Sequence, residues 1–210
     1  MSTPRRRGPY AKTAAKRQMI IDAALAAYAE AGTRGASVKD IAERVGMTDA
    51  GVLHHFGSRE ALLTAVLEAR DTALEAAYGK KEALWRPDMI AQNAETPGLS
   101  KLFLDLAAAA AEPDHPAHGF FAERYRMLRE RFADAIAEGR PPGGVPPTAD
   151  PDAAWAARVL IAAVDGLQLQ WLLDPSIDLT EDTVRLRDLL MDALEPVPRD
   201  PAPRDPAPEG

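Results

Sequence analysis

The chain has 210 residues, of which 46% are hydrophobic and none is cysteine, and it carries a net charge of −7. That length and apolar share suffice for one ordinary domain or two small ones with a real core, which excludes wholesale disorder. Without cysteine there are no disulfides, thiolate nucleophiles or cysteine-based zinc sites, and an intracellular protein is expected.

Residues 1–13, where Pro4, Gly8 and Pro9 flank Arg5, Arg6 and Arg7, read as a flexible basic arm. From Ala14 to Ala31 an alanine-rich stretch carries Ile20, Ile21, Leu25 and Tyr28 at helical spacing, and Gly32 stops it. Ser37 caps a short helix ending near Val45, with Asp40 placed to complete a capping box. Gly46 turns the chain, and Thr48 caps a third, very short helix to about His55. Ser58 then caps a longer helix from Arg59 to about Tyr78, with Leu62, Leu63, Val66 and Leu67 facing inward. Two short helices joined by a glycine-bearing turn make a helix-turn-helix. That domain is expected over residues 14–58, and residues 59–78 connect it to the remainder.

Residues 79–195 are expected to form a second domain. Trp85, Met89 and Ile90 call for burial, yet Pro87 and Pro97-Gly98 interrupt any regular pattern. Helices follow from Leu99 to Glu112, Phe120 to Glu138, Asp150 to Leu173 and about Thr180 to Leu194, with Pro141 to Pro147 as a loop. No strand signal appears, so the expected fold class is all-α: an N-terminal three-helix helix-turn-helix domain followed by a second helical domain. Residues 196–210 alternate proline with charge, a composition expected to stay disordered. The basic N-terminus leads into no uninterrupted apolar run, and no stretch approaches the roughly 18 apolar residues of a spanning helix. A soluble cytoplasmic protein with no membrane partner is therefore expected.

The overall negative charge hides an asymmetry. Residues 1–60 hold 10 Lys/Arg against 6 Asp/Glu, a net of +4, while the remainder holds 15 against 26, a net of −11. A basic head on an acidic body suits a chain that presents one end to a polyanion.

The adjacent histidines His54 and His55 need an explanation. Two metal ligands on one helix should sit three or four residues apart, whereas adjacent side chains diverge by about 100°. His115 and His118 lie on a proline-broken loop with nothing to pair them to His54 or His55, so no metal is expected. No orienting carboxylate, nucleophile elbow or phosphate-cradling loop accompanies them, so no catalytic residue and no cofactor is expected either. In a helix-turn-helix the second helix enters the major groove. With Val52 and Phe56 facing inward, Thr48, Asp49, Gly51, Leu53, His54 and His55 are left for the outer side. Imidazoles can donate to phosphates or base edges, and a leucine can touch a thymine methyl.

The segments IIDAALAAYAEAG, SVKDIAERVGMT and VLHHFGSREALLTAVLE, within residues 18–68, resemble the DNA-binding domain of the tetracycline-repressor (TetR) family. The resemblance implies a recognition helix bearing Thr48, Gly51, Leu53, His54 and His55, with phosphate contacts from Ser37 and Arg59. Lys39 and Asp49 stand beside these and complete the expected DNA-facing set. Gly51 and Leu53 replace the threonine and tyrosine usual in the family, and Arg5, Arg6 and Arg7 can compensate by reaching phosphates or a minor groove. It further implies a homodimeric repressor that binds double-stranded operator DNA and responds to a small-molecule effector.

The last two long helices have more apolar surface than one face can bury and are the expected dimer interface. The effector pocket is expected among Trp85, Met89, Phe103, Phe120, Tyr125, Trp155 and Trp171, with Arg124, Arg158, Gln168 and Gln170 as polar groups. Two other functions stay open at this point: a transcriptional activator, and an all-helical ligand-binding module or enzyme without DNA function.

Overall fold

The computed structural model describes residues 9–79, 87–138 and 151–193. Arg5, Arg6, Arg7, Trp85, the loop 141–147 and the tail 196–210 lie outside them. Among the described residues the chain is helical, with no strand. The helices are α1 (Pro9–Ala31), α2 (Val38–Arg44), α3 (Asp49–His54), α4 (Arg59–Tyr78) and α5 (Pro87–Glu95). They continue with α6 (Pro97–Ala109), α7 (His118–Glu138), α8 (Pro151–Leu173) and α9 (Leu179–Ala193).

Proline explains where the helices depart from expectation. Pro9, Pro87, Pro97 and Pro151 each open a helix. The first helical position needs no backbone N–H, and proline's fixed φ suits it. So α1 begins at Pro9 inside the expected arm, and a full helix, α5, forms where Pro87 had read as an interruption.

The first three turns are built by local chemistry. Ser37 and Asp40 form a complete capping box: the Ser37 hydroxyl accepts from the Asp40 N–H at 3.1 Å, while the Ser37 N–H donates to the Asp40 carboxylate at 2.8 Å. The end of α2 is a Schellman turn, in which Met47 N–H donates to Ala42 C=O at 2.9 Å and Gly46 N–H to Glu43 C=O at 3.3 Å. Gly46 adopts φ +63°, a left-handed conformation that a side chain would strain. Thr48 and Ser58 cap α3 and α4 by accepting from Gly51 N–H and Ala61 N–H at 3.1 and 3.0 Å.

One hydrophobic core joins head to body. Ile20, Ala24, Tyr28, Ile41, Val52, Leu62, Val66 and Leu67 of the helix-turn-helix and α4 share it with Leu99, Leu102, Phe103 and Leu106 of α6 and Phe121 of α7. The boundary expected near residues 59–78 is thus a helix running through a continuous core, without a packing gap. A second, smaller cluster joins Ala133 and Ile136 of α7 to Ala153, Ala156 and Ala157 of α8. Alanine on α8 lets the two helix axes approach closely along their length.

The α6–α7 corner is fastened by its histidines. His118 Nδ1 lies 2.9 Å from Ala110 C=O, and His115 Nδ1 accepts from Ala117 N–H at 3.1 Å. No cluster of three potential metal ligands occurs among the described residues.

The expectation that no stretch reaches membrane-spanning length is corrected by α8. Asp152–Leu173 is long and apolar enough by length and composition, with a mean hydropathy of 1.3, and only 28% of it is buried within the chain. One side packs on α7 and α9. Trp155, Leu169 and Leu173 of the same helix are exposed, as is Leu189 of α9.

Candidate functional site

The helix-turn-helix presents α3 on the outside of the head. Val52 is fully buried beneath it and Phe56 packs against the same core, as the periodicity predicts. Thr48, Asp49 and His54 are exposed, and Gly51 and His55 are half-buried. Leu53 departs from its expected place, because it is half-buried and packs against the core. The imidazoles of His54 and His55 lie 6.0 Å apart, edge to face. Gly51 leaves little room: a Cβ there would meet Thr48 Oγ1 at 3.2 Å and Met47 Cε at 3.3 Å.

The flanking contacts follow from the caps. Ser37 is exposed at the start of α2, but its hydroxyl also donates to Asp40 at 2.7 Å. These bonds from the serine hydroxyl and backbone hold the Asp40 carboxyl below the usual carboxylate range. Lys39 is exposed and weakly paired to Glu43 at 3.9 Å. Arg59 is exposed at the first position of α4, a helix end that favours anions over cations. A cation there is unfavourable for the helix alone and suits a phosphate bound at the same end.

Arg17, one of the cations of the basic head, fastens the recognition helix. Its guanidinium donates to the His55 carbonyl and lies 4.2 Å from the centroid of the Phe56 ring. Thirty-eight residues separate Arg17 from His55, so nothing local marked the contact.

A cavity of about 680 Å³ lies among α4 to α8, within the usual range for small-molecule sites. Met89, Phe103, Phe120, Arg124 and Gln168 of the expected set line it. Tyr125, Trp155, Arg158 and Trp171 are not among the lining residues. Trp155 and Arg158 are corrected as pocket residues, since both lie on an exposed side of α8. Trp171 is half-buried near the end of that helix and Gln170 is exposed. Tyr125 acts one step removed, donating to Asp165 of the lining at 2.7 Å. Burial and the Asp165 carboxylate push its phenol up, and burial raises Asp165 as well.

The polar half of the cavity joins the expected Arg124 and Gln168 to residues that the sequence pattern did not single out, among them Arg70, Asp71, Glu75 and Arg131. Arg124 of α7 bonds Asp71 of α4 at 2.7 Å and lies 4.7 Å from the Phe103 ring centroid. Arg131 of α7 pairs with Glu75 of α4 at 2.5 Å. Arg70 donates to the Asn93 side-chain oxygen of α5, and its desolvated guanidinium is pushed down to about 10. Arg70 and Asp71 stand four residues after the inward-facing Val66 and Leu67 of α4, and that continuation of one helix face is the signal that could have found them.

Two family profiles match the chain. The profile of the tetR family of bacterial regulatory proteins matches residues 20–66. That of the C-terminal part of BetI-type transcriptional repressors matches residues 87–206. The HTH-type transcriptional regulator TtgR of Pseudomonas putida is 26% identical over 200 residues, covering 87% of this chain and 92% of its own. The HTH-type transcriptional repressor Rv1474c of Mycobacterium tuberculosis is 37% identical over 71 residues, 34% of this chain and 37% of its own. The fold is shared with a TetR transcriptional regulator from Rhodococcus sp. RHA1 at a TM-score of 0.62 and 19% identity, covering 88% of this chain and 100% of that one.

An outward α3 on a capped helix-turn-helix, ahead of a helical body, defines a DNA-binding transcriptional regulator. The chain belongs to the tetracycline-repressor (TetR) family.

Proposed function

We propose that the chain is a homodimeric, ligand-responsive repressor of the cytoplasm, without enzymatic activity, that binds a palindromic operator in double-stranded DNA. The observation that carries this reading is the course of α4. Arg59 stands at its first position beside α3, while Glu68, Arg70, Asp71, Thr72, Leu74 and Glu75 line the cavity farther along the same helix. Arg59 and Arg70 are separated by about 16 Å of continuous helix. A ligand that repositions the cavity end of α4 therefore tilts its DNA end.

Residues 14–58 act as the reading head, 59–78 as the lever and 79–195 as the effector and dimer domain. In the head, Thr48, Asp49, Gly51, His54 and His55 face the groove, with Leu53 reaching only its edge. Ser37, Lys39 and Arg59 meet phosphates, and Arg5, Arg6 and Arg7 add non-specific attraction. The exposed apolar side of α8 and α9 pairs with a second copy, which matches two half-sites about 34–36 Å apart. A coupling of about 1–3 kcal/mol between cavity and operator gives a useful switch.

Gel retardation with the promoter region of neighbouring genes tests the reading. The full chain is expected to bind as a dimer, and a small molecule that raises its melting temperature is expected to release the DNA. Transcription from that promoter should rise when the gene is deleted. A fall would replace repressor by activator.

A further inference from the structure

The charges lining the cavity are unequally satisfied. Asp71 is held by Arg124 in two contacts of 2.7 and 3.4 Å, Glu75 by Arg131, and Glu123 by Arg126 at 2.6 Å. Glu68 is exposed at the rim, and Asp165 accepts a hydrogen bond from the Tyr125 hydroxyl. Arg70 differs from all of these. As a residue it is half-buried, but its guanidinium lies deep, and its hydrogen-bonding partner is the neutral amide of Asn93. Asp71 attracts it at longer range while Arg124 repels it, and no ion pair to a described carboxylate forms. A buried cation answered only by an amide retains much of its desolvation cost.

The Asn93 contact is itself fixed. The Asn93 backbone carbonyl accepts from the hydroxyl of Ser100, which is fully buried, so α5 and α6 hold the amide in place. Asn93 thus orients the guanidinium without neutralising it. Around it the cavity wall is mostly apolar, from Phe103, Phe120, Met127, Phe132, Ile161 and Val164.

We propose that the cavity takes an amphipathic monoanion, with its negative head on Arg70 and its apolar body against the α6, α7 and α8 side chains. This rests on the effector reading given above. An anion at Arg70 gains a charge-assisted hydrogen bond in a poorly hydrated site, and the tail gains burial. A cation in the same place would meet Arg70 and Arg124 together. A neutral ligand would leave the guanidinium as it is.

The test uses the full chain and three probes with one tail and different heads: decanoate, 1-decanol and decylammonium, all below micelle-forming concentrations. Calorimetric titration is expected to show decanoate binding tightest. Arg70→Gln is expected to weaken decanoate about tenfold to a hundredfold and to leave decanol unchanged, and Arg70→Lys to restore part of the loss. Equal binding of decanoate and decanol, tighter binding of decylammonium, or decanoate binding indifferent to Arg70→Gln overturns the inference and leaves the effector reading standing. Decanoate that binds through Arg70 but leaves the DNA complex intact overturns the effector reading and keeps the anion site. Silence from all three probes overturns the inference, and the effector reading is then judged by DNA release alone.

Discussion

Gly98, in the first turn of α6, approaches Tyr28 of α1 so closely that a Cβ on it would lie 2.1 Å from the Tyr28 carbonyl oxygen and 2.7 Å from that of Gly32. Both obstacles are backbone, so neither can rotate away. The body therefore rests on the end of α1 through a contact that only glycine allows, and α6 carries Phe103 of the cavity a little farther on. Gly98→Ala is expected to cost about 1–3 kcal/mol of stability, as overpacking commonly does. Thermal unfolding measures the cost, and the effector response should weaken with it. An unchanged melting temperature would show that α6 can slide freely on α1.

Arg17→Met removes a charged hydrogen bond to the His55 carbonyl and the stacking on Phe56 while keeping much of the apolar stem. The expected loss is about 1–3 kcal/mol, mostly from the carbonyl left without its partner. Because both contacts set the end of α3, specific DNA affinity should fall further than affinity for random DNA. Equal losses on both DNAs would reassign Arg17 to phosphate binding.

The groove face and the phosphate contacts should separate by salt. Arg59→Gln is expected to weaken all DNA sequences alike and to reduce the salt slope of binding by about 1. His54→Ala should instead narrow the gap between operator and random DNA. Fluorescence anisotropy over a salt series distinguishes them, and a His54→Ala variant with undiminished discrimination would remove that residue from base reading.

The capping box of α2 makes stability depend on acidity in a stated direction. Asp40 is held below the usual aspartate range, so its contribution is present above that range and is lost as pH falls through the depressed value. Melting temperatures of the wild type and Asp40→Asn should therefore differ most near neutral pH and converge in acid. Parallel curves would mean the carboxylate contributes nothing through its charge.

The free side of α8 predicts assembly. Trp155 is 52% exposed and Leu189 is 59% exposed, which is costly for large apolar groups on a lone chain. Trp155→Asp is expected to give a monomer by sedimentation with little change in helicity, together with weakened operator binding. A variant that stays dimeric would place the interface elsewhere.

Much of the head was legible because its signals are local. Ser37, Thr48 and Ser58 cap helices by bonds spanning three residues, and Gly46 needs a backbone conformation that its own sequence context announces. The start of the body misled for the same reason. Pro87 and Pro97 look like breaks, and whether a proline ends a helix or opens one depends on where the neighbouring helices place its first turn.

The sequence by itself determined the all-helical class, the capped helix-turn-helix and the inward set of Val52 and Phe56, since periodicity and capping act within a few residues. Only the tertiary structure decided that Leu53 turns partly to the core and that Arg17 fastens α3. It alone also brought Arg70 and Asp71 into the cavity with Arg124 and left Trp155 on an open face. Each of those depends on which helices meet across tens of residues. That is settled by the packing of whole surfaces and is not written in any single segment.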